Sequence, residues 1–208
     1  MSVTFGRAVE RWRKSLTRLA GWVPVDFLLA WVDKESKGLP NVVSPIGERG
    51  LFQVHEDEKT FLKIPDADFT NLTTDPALAM RTGVRQAKTY AAYAKRFLAD
   101  VGVEWHGRDF WKLVKLHHGA FGMPKYALLA FQRENGRGPQ NWHELMKFAL
   151  DAAEAKKDLI PTDTNLSTKL RSITVKVFNN ADVVGEVVPP ASQMEAVAFR
   201  QLAPGLFT

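Results

Sequence analysis

The 208-residue chain contains no cysteine. A disulfide framework and a thiolate-ligated metal centre are therefore both excluded, and the compartment cannot be read from redox chemistry. Equally missing is any run approaching the ~18–20 uninterrupted apolar residues of a membrane-spanning helix. The closest approach to a targeting segment is N-terminal. Arg7, Arg11, Arg13, Lys14 and Arg18 precede apolar residues from Leu19, but Pro24 and Asp26 interrupt that run. The expectation is synthesis in the cytoplasm without Sec export, so that action elsewhere would need another delivery route. Internal repeats and low-complexity segments are absent too. Hydrophobic residues make up 45% and charged residues 25% of the chain, a balance that argues against disorder throughout. The length suits one domain of ordinary size, with room for an appendage.

Positive charge is in modest excess, +5 with a pI near 9.5. It fits a polyanionic partner such as nucleic acid, cell-wall polymer or anionic lipid, and equally a basic protein with no such partner. No recognised nucleic-acid-binding motif accompanies the charge, so nucleic acid is not expected as a partner. The first apolar pattern is Phe5, Val9, Trp12, Leu16 and Leu19, in steps of four and three with basic residues between. It predicts an opening amphipathic helix, packed on the core with a solvated basic face or lying on a membrane surface.

Further helices follow from their punctuation. A second helix should stop near Gly38-Leu39-Pro40, and residues 41–75 read as loop-rich. Asp75-Pro76 predicts a helix start, with Met80, Val84, Ala87, Ala91, Ala94, Leu98 and Val101 as its buried stripe up to Gly102. Asp109 is expected to cap a helix to about His118, and another should run from Pro124 to about Glu134. Asn141 with Glu144 reads as a capping pair for a helix burying Trp142, Leu145, Met146 and Ala149. Beyond Pro161 the reading divides. The β-branched run around Asn179-Asn180 allows a strand pair, while Leu166, Leu170, Ile173 and Val177 fit helical spacing. Ser192 with Glu195 predicts a short terminal helix.

The second helix carries an anomaly. Val25, Leu28 and Val32 form an apolar stripe, and three residues on the same face carries Glu35. An acid in apolar surroundings tends to keep its proton, and a protonated carboxyl can donate to a leaving oxygen, as glycosidic cleavage requires. The alternative is a helix-end glutamate on an exposed last turn. Downstream stand Glu35-Ser36, then Ser44-Pro45-Ile46-Gly47, then Gly50-Leu51-Phe52-Gln53. In type and spacing this series resembles the signature of the soluble lytic transglycosylase and goose-type lysozyme family. The likeness covers roughly residues 23–131.

The resemblance implies a mainly α, lysozyme-like helical domain over residues 1–160, with a C-terminal extension over 161–208. It implies a peptidoglycan-cleaving enzyme, lytic transglycosylase or muramidase, acting without a cofactor on the β-1,4 bond between N-acetylmuramic acid and N-acetylglucosamine. Glu35 would be the catalytic acid, and then the base. Ser44 and Gln53 match family positions that contact the sugar, where hydroxyl and carboxamide groups suit neutral sugar polar groups. A missing signal would suit a phage protein or a secreted effector, with the extension, from its position alone, as an attachment to a delivery or virion partner.

Two departures from the family pattern stand out. The tyrosine of a Tyr-Asn-Ala-Gly run is replaced in "LVKLHHGAFGMPK", where Leu116, His117, His118 and Gly119 take its place. His117 shares a face with Phe110, Leu113 and Val114. It would either restore a polar contact to Glu35 or sugar, or be a satisfied core histidine; Tyr126 is a second candidate. Glu48 stands where the family often has a small residue, and would be either a second carboxylate that orients water or a loop charge paired with Arg49. Trp105, beside Gly102 and Gly107, is the expected exposed sugar platform, and Trp142 a core residue. "HEDE", His55 to Glu58, has a metal-like composition but reads as acidic surface rather than a metal site. The competing function is a non-catalytic lysozyme-like structural or glycan-binding module.

Overall fold

The computed structural model describes residues 3–120, 122–155 and 176–193. They are mainly helical, and they group into two compact units, residues 3–89 and residues 90–193. The boundary expected at residue 160 and the terminal helix expected from Ser192 and Glu195 fall on or against residues outside that description.

In the first unit the opening helix is two pieces, α1 (Arg7–Glu10) and α2 (Arg13–Ala20), both packed on α3 (Val25–Ser36). Val9, Leu16 and Ala20 supply the buried face of the pair. The apolar face of α3 is wide rather than a stripe, since Phe27, Leu28, Leu29, Trp31 and Val32 are all buried. α3 ends where expected. Lys37 turns left-handed at φ 54°, and Gly38 follows at φ 79°. Only glycine suits Gly38, because a Cβ there would lie 2.3 Å from the Ala8 carbonyl oxygen. That close approach also lets the Gly38 carbonyl accept from Arg11 Nη2 at 2.8 Å and Trp12 Nε1 at 3.0 Å.

Residues 41–75 are less irregular than the sequence suggests. They contain α4 (Glu58–Leu62) and α5 (Asp66–Asn71), each too short for a helical period to be visible. α6 (Pro76–Asp100) starts as predicted, with Asp75 Oδ1 accepting from the amides of Ala77 and Leu78 at 2.9 and 3.0 Å. Its residues 76–89 belong to the first unit and residues 90–100 to the second.

The second unit is built on α7 (Gly107–Gly119), with α8 (Met123–Asn135) and α9 (Trp142–Glu154) packed against it and against each other. α7 begins two residues before Asp109, which lies in its first turn; His106, not Asp109, is the N-cap. Asn141 does cap α9, its side chain accepting from the Glu144 amide at 2.9 Å. Residues 176–185 are helical (α10), and Ala191–Gln193 form a 3-10 turn. The strand pair around Asn179-Asn180 is thus corrected to helix. The reason is tertiary. Val177, Phe178, Ala181, Val184 and Val188 recur at steps of one, three and four, and all are buried. Phe178 rests on the buried Trp142 with ring centroids 5.3 Å apart.

Candidate active site

Glu35 occupies the last turn of α3. Leu28 and Val32 of its face are fully buried, while Glu35 itself is half-buried, at the margin of the stripe. The next residue anchors that margin. Ser36 Oγ lies 3.1 Å from the Val32 carbonyl and 2.9 Å from the Leu51 carbonyl, so it ties the helix end to the Gly50–Gln53 loop.

That loop is a small antiparallel scaffold. Arg49 bridges to Val43 on one side and to Val54 on the other. Ser44 closes its tip: the hydroxyl accepts from the Glu48 amide at 3.1 Å, and the Ser44 amide donates to the Glu48 carbonyl at 2.9 Å. Ser44 and Glu48 are both half-buried. Arg49 directs its guanidinium over the Phe69 ring, 5.3 Å from the centroid, rather than to the neighbouring Glu48. Gly50 adopts φ 75° under the Leu72 carbonyl oxygen, which a Cβ would approach to 2.4 Å.

Gln53 has a different task from the one its motif suggests. It is only 2% exposed, with a left-handed φ of 49°. Its amide nitrogen donates to the Gly50 carbonyl at 2.8 Å and to the Val42 carbonyl at 3.2 Å. Direct sugar contact by this carboxamide is therefore corrected to an internal brace. It fixes the loop that Ser36 joins to Glu35.

Phe52 points the other way, into the core, with its ring 6.0 Å from that of Trp31. Gly83 of α6 makes room for it, since a Cβ at Gly83 would come within 2.2 Å of the Phe52 ring. A mid-helix glycine is visible in sequence, but its partner is not.

"HEDE" turns out to start a helix. Glu58 is buried and accepts from the His55 amide at 2.7 Å and from Gln86 Nε2 at 2.8 Å. The bond to the His55 amide closes the turn that leads into α4. Among the described residues no group of three or more His, Cys, Asp or Glu side chains is arranged to hold a metal ion.

The remaining candidates lie in the second unit. Trp105 is 4% exposed and its Nε1 donates to the Pro139 carbonyl at 2.8 Å. The expected exposed sugar platform is therefore corrected to a core residue, since the indole N–H finds its partner inside the fold. Tyr126, on α8, is exposed. His117 points inward and is 1% exposed, in a box formed by Tyr90, Tyr93 and Phe97 with centroids 5.9, 6.3 and 5.5 Å away. Among the described residues its Nε2 has no hydrogen-bond partner, and burial pushes its pKa down to about 3. Of its two readings, the core histidine stands, though a neutral and incompletely satisfied one.

A polar cluster beyond the reach of sequence spacing joins α7 to α10. Lys112 Nζ lies 2.7 Å from Asp182 and 2.5 Å from Glu186. Burial works against the ammonium, yet the two carboxylates hold its pKa above the usual value. Asp109, beside them, is pushed up by burial against the opposing pull of Lys112. Against protein-family models, curated proteins and solved structures alike, the chain has no match.

Proposed function

We propose that the protein cleaves the β-1,4 bond between N-acetylmuramic acid and N-acetylglucosamine in peptidoglycan, with Glu35 as acid and then base. The observation that carries this reading is the Ser36 tether, which holds the end of the Glu35 helix to the Gly50–Gln53 loop. That tether links the two parts of the motif on which the resemblance rests.

The chemistry follows from that placement. The protonated Glu35 carboxyl gives its proton to the glycosidic oxygen as the bond to the muramoyl C1 breaks. The resulting carboxylate then takes a proton from the muramoyl hydroxyl that closes an anhydro ring. In the hydrolytic variant water attacks instead, and a second carboxylate about 6.5–9.5 Å away would orient it. Glu48, fixed by its amide to Ser44, is the candidate for that second role. Delivery to the wall by a phage or secretion apparatus belongs to the same proposal.

The test is clearing of a peptidoglycan suspension by the full chain. Glu35→Gln should stay folded and lose clearing, and equal activity would end the assignment. Mass spectrometry of the products separates the two routes, with anhydro-muramoyl ends for ring closure and reducing ends for water. A lysozyme-like structural or glycan-binding module without catalysis is the second reading, motivated by the missing family tyrosine, in whose place Leu116, His117, His118 and Gly119 stand. Retention on peptidoglycan with no soluble product would establish it.

A further inference from the structure

A row of cations on the first two helices is left over by the candidate site. Arg7, Arg11, Lys14 and Arg18 recur at steps of four, three and four, and all four are exposed. On a helix those steps keep them within about 60° of arc and spread them over about 16 Å of axis. The junction of α1 and α2 preserves the row. Arg11 and Trp12 keep right-handed helical dihedrals, and the Arg11 amide still donates to the Arg7 carbonyl at 3.2 Å. Val9, Leu16 and Ala20, on the opposite side, are buried.

Three observations select the partner. The charges are open: among the described residues no ion pair involves any of the four, whereas Arg13, off the row, is bound by Glu10 at 2.5 Å and Asp26 at 2.6 Å. Lys88 extends the row past Arg18, its Nζ lying 3.5 Å from the position a Cβ on Gly21 would take. Second, the apolar face of these helices is occupied by the fold, so nothing remains to insert into hydrocarbon as an interfacial helix must. Third, among the described residues no aromatic ring is offered along the row for stacking on bases. Trp12, at the junction of the same two helices, lies beneath the Arg11 guanidinium at 4.5 Å and donates to the Gly38 carbonyl. What remains is a line of guanidinium forks and an ammonium, suited to carboxylates spaced along a polymer.

We infer that this row docks the protein on the carboxylate-bearing peptide side chains of peptidoglycan and holds it on the insoluble wall between cleavage events. The inference rests on the proposed function for the identity of the polyanion. The row itself stands on the geometry above.

The experiment is co-sedimentation of the full chain, carrying Glu35→Gln so that no cutting occurs, with purified sacculi at low and high salt. Adding Arg7→Gln, Lys14→Gln and Arg18→Gln should weaken binding at low salt by at least about tenfold and flatten its salt dependence. Arg11 is left in place because it also holds the Gly38 carbonyl. A control triple, Arg81→Gln, Lys95→Gln and Arg96→Gln, removes the same charge from other exposed positions and should bind like its parent. Amidating the sacculus carboxylates should reproduce the loss. The inference is overturned if the row variant binds normally, if the control loses as much, or if amidation changes nothing. Tighter binding to duplex DNA or to vesicles with one-third anionic lipid than to sacculi would also overturn it. Muropeptide release by the unmutated chain is read separately. Row-dependent binding without release removes only the catalytic reading, and release with row-independent binding removes only this inference.

Discussion

The hydroxyl of Ser36 lies 2.9 Å from the carbonyl oxygen of Leu51, both residues fully inside the first unit. One side chain thus joins the helix that ends in Glu35 to the loop braced by Gln53. Replacing Ser36 with alanine leaves the buried Leu51 carbonyl without this donor, a loss of about 1–2 kcal/mol. Urea denaturation should show that decrease. Peptidoglycan clearing should fall further than the small unfolded fraction explains, because the loop is released from the acid. Unchanged clearing in a measurably destabilised Ser36→Ala protein would separate the tether from function.

Gly83→Ala should be among the more damaging single-methyl changes in the chain. The added carbon collides with the Phe52 ring at 2.2 Å, and that ring is wedged against Trp31. Overpacking of this kind costs about 1–3 kcal/mol. Combining it with Phe52→Leu should cost less than the two single changes added together, since the smaller side chain removes the collision. Strict additivity in thermal denaturation would contradict the collision.

His117 makes stability depend on acid in a stated direction. Its folded pKa is depressed to about 3 from an ordinary 6.5 by burial. The unfolded chain therefore takes up the proton first. The stabilisation of the neutral form is complete above about pH 6.5 and is lost as pH falls toward 3, by about 1.4 kcal/mol per pH unit within that window. His117→Phe keeps a ring among Tyr90, Tyr93 and Phe97 and removes both the titration and the unpartnered nitrogen. Melting temperatures measured from pH 7 to 4 should fall less steeply for the variant. Parallel profiles would show that His117 does not contribute.

Lys112→Met should loosen α10 from α7. The ammonium is nearly enclosed, and its removal leaves Asp182 without this cation and Glu186 with only Arg108, 3.4 Å away. Both carboxylates are partly solvated, so the expected loss is about 1–3 kcal/mol rather than the full effect of an isolated buried charge. Limited proteolysis should cut near residues 176–185 sooner in the variant. Adding Asp182→Asn and Glu186→Gln should recover part of the resistance. No recovery would mean that the lysine stem, packed against Gly185, matters more than its charge.

The helical order of the chain was legible because its signals are local. Asp75 with Pro76 and Asn141 with Glu144 announce helix starts through bonds to amides two or three residues on. Trp142 was legible as core from its place on an apolar stripe. Trp105 was misread for the opposite reason. Two nearby glycines suggested an open loop, but the acceptor for its indole is Pro139, 34 residues away. Gln53 misled similarly, since a carboxamide looks available until Val42 and Gly50 are seen around it.

By itself the sequence determined a mainly α chain, the end of α3 beside Glu35, and the row of cations opposite the buried face of the first helices. Each depends on spacing within a few residues, which the helix period converts directly into a shared face. Only the tertiary structure decided that residues 176–185 are helix rather than strand, that Gln53, Trp105 and His117 face inward, and that Ser36 joins the acid's helix to the motif loop. Those outcomes depend on which distant surfaces meet, because a buried polar atom takes its partner from whatever the fold brings beside it.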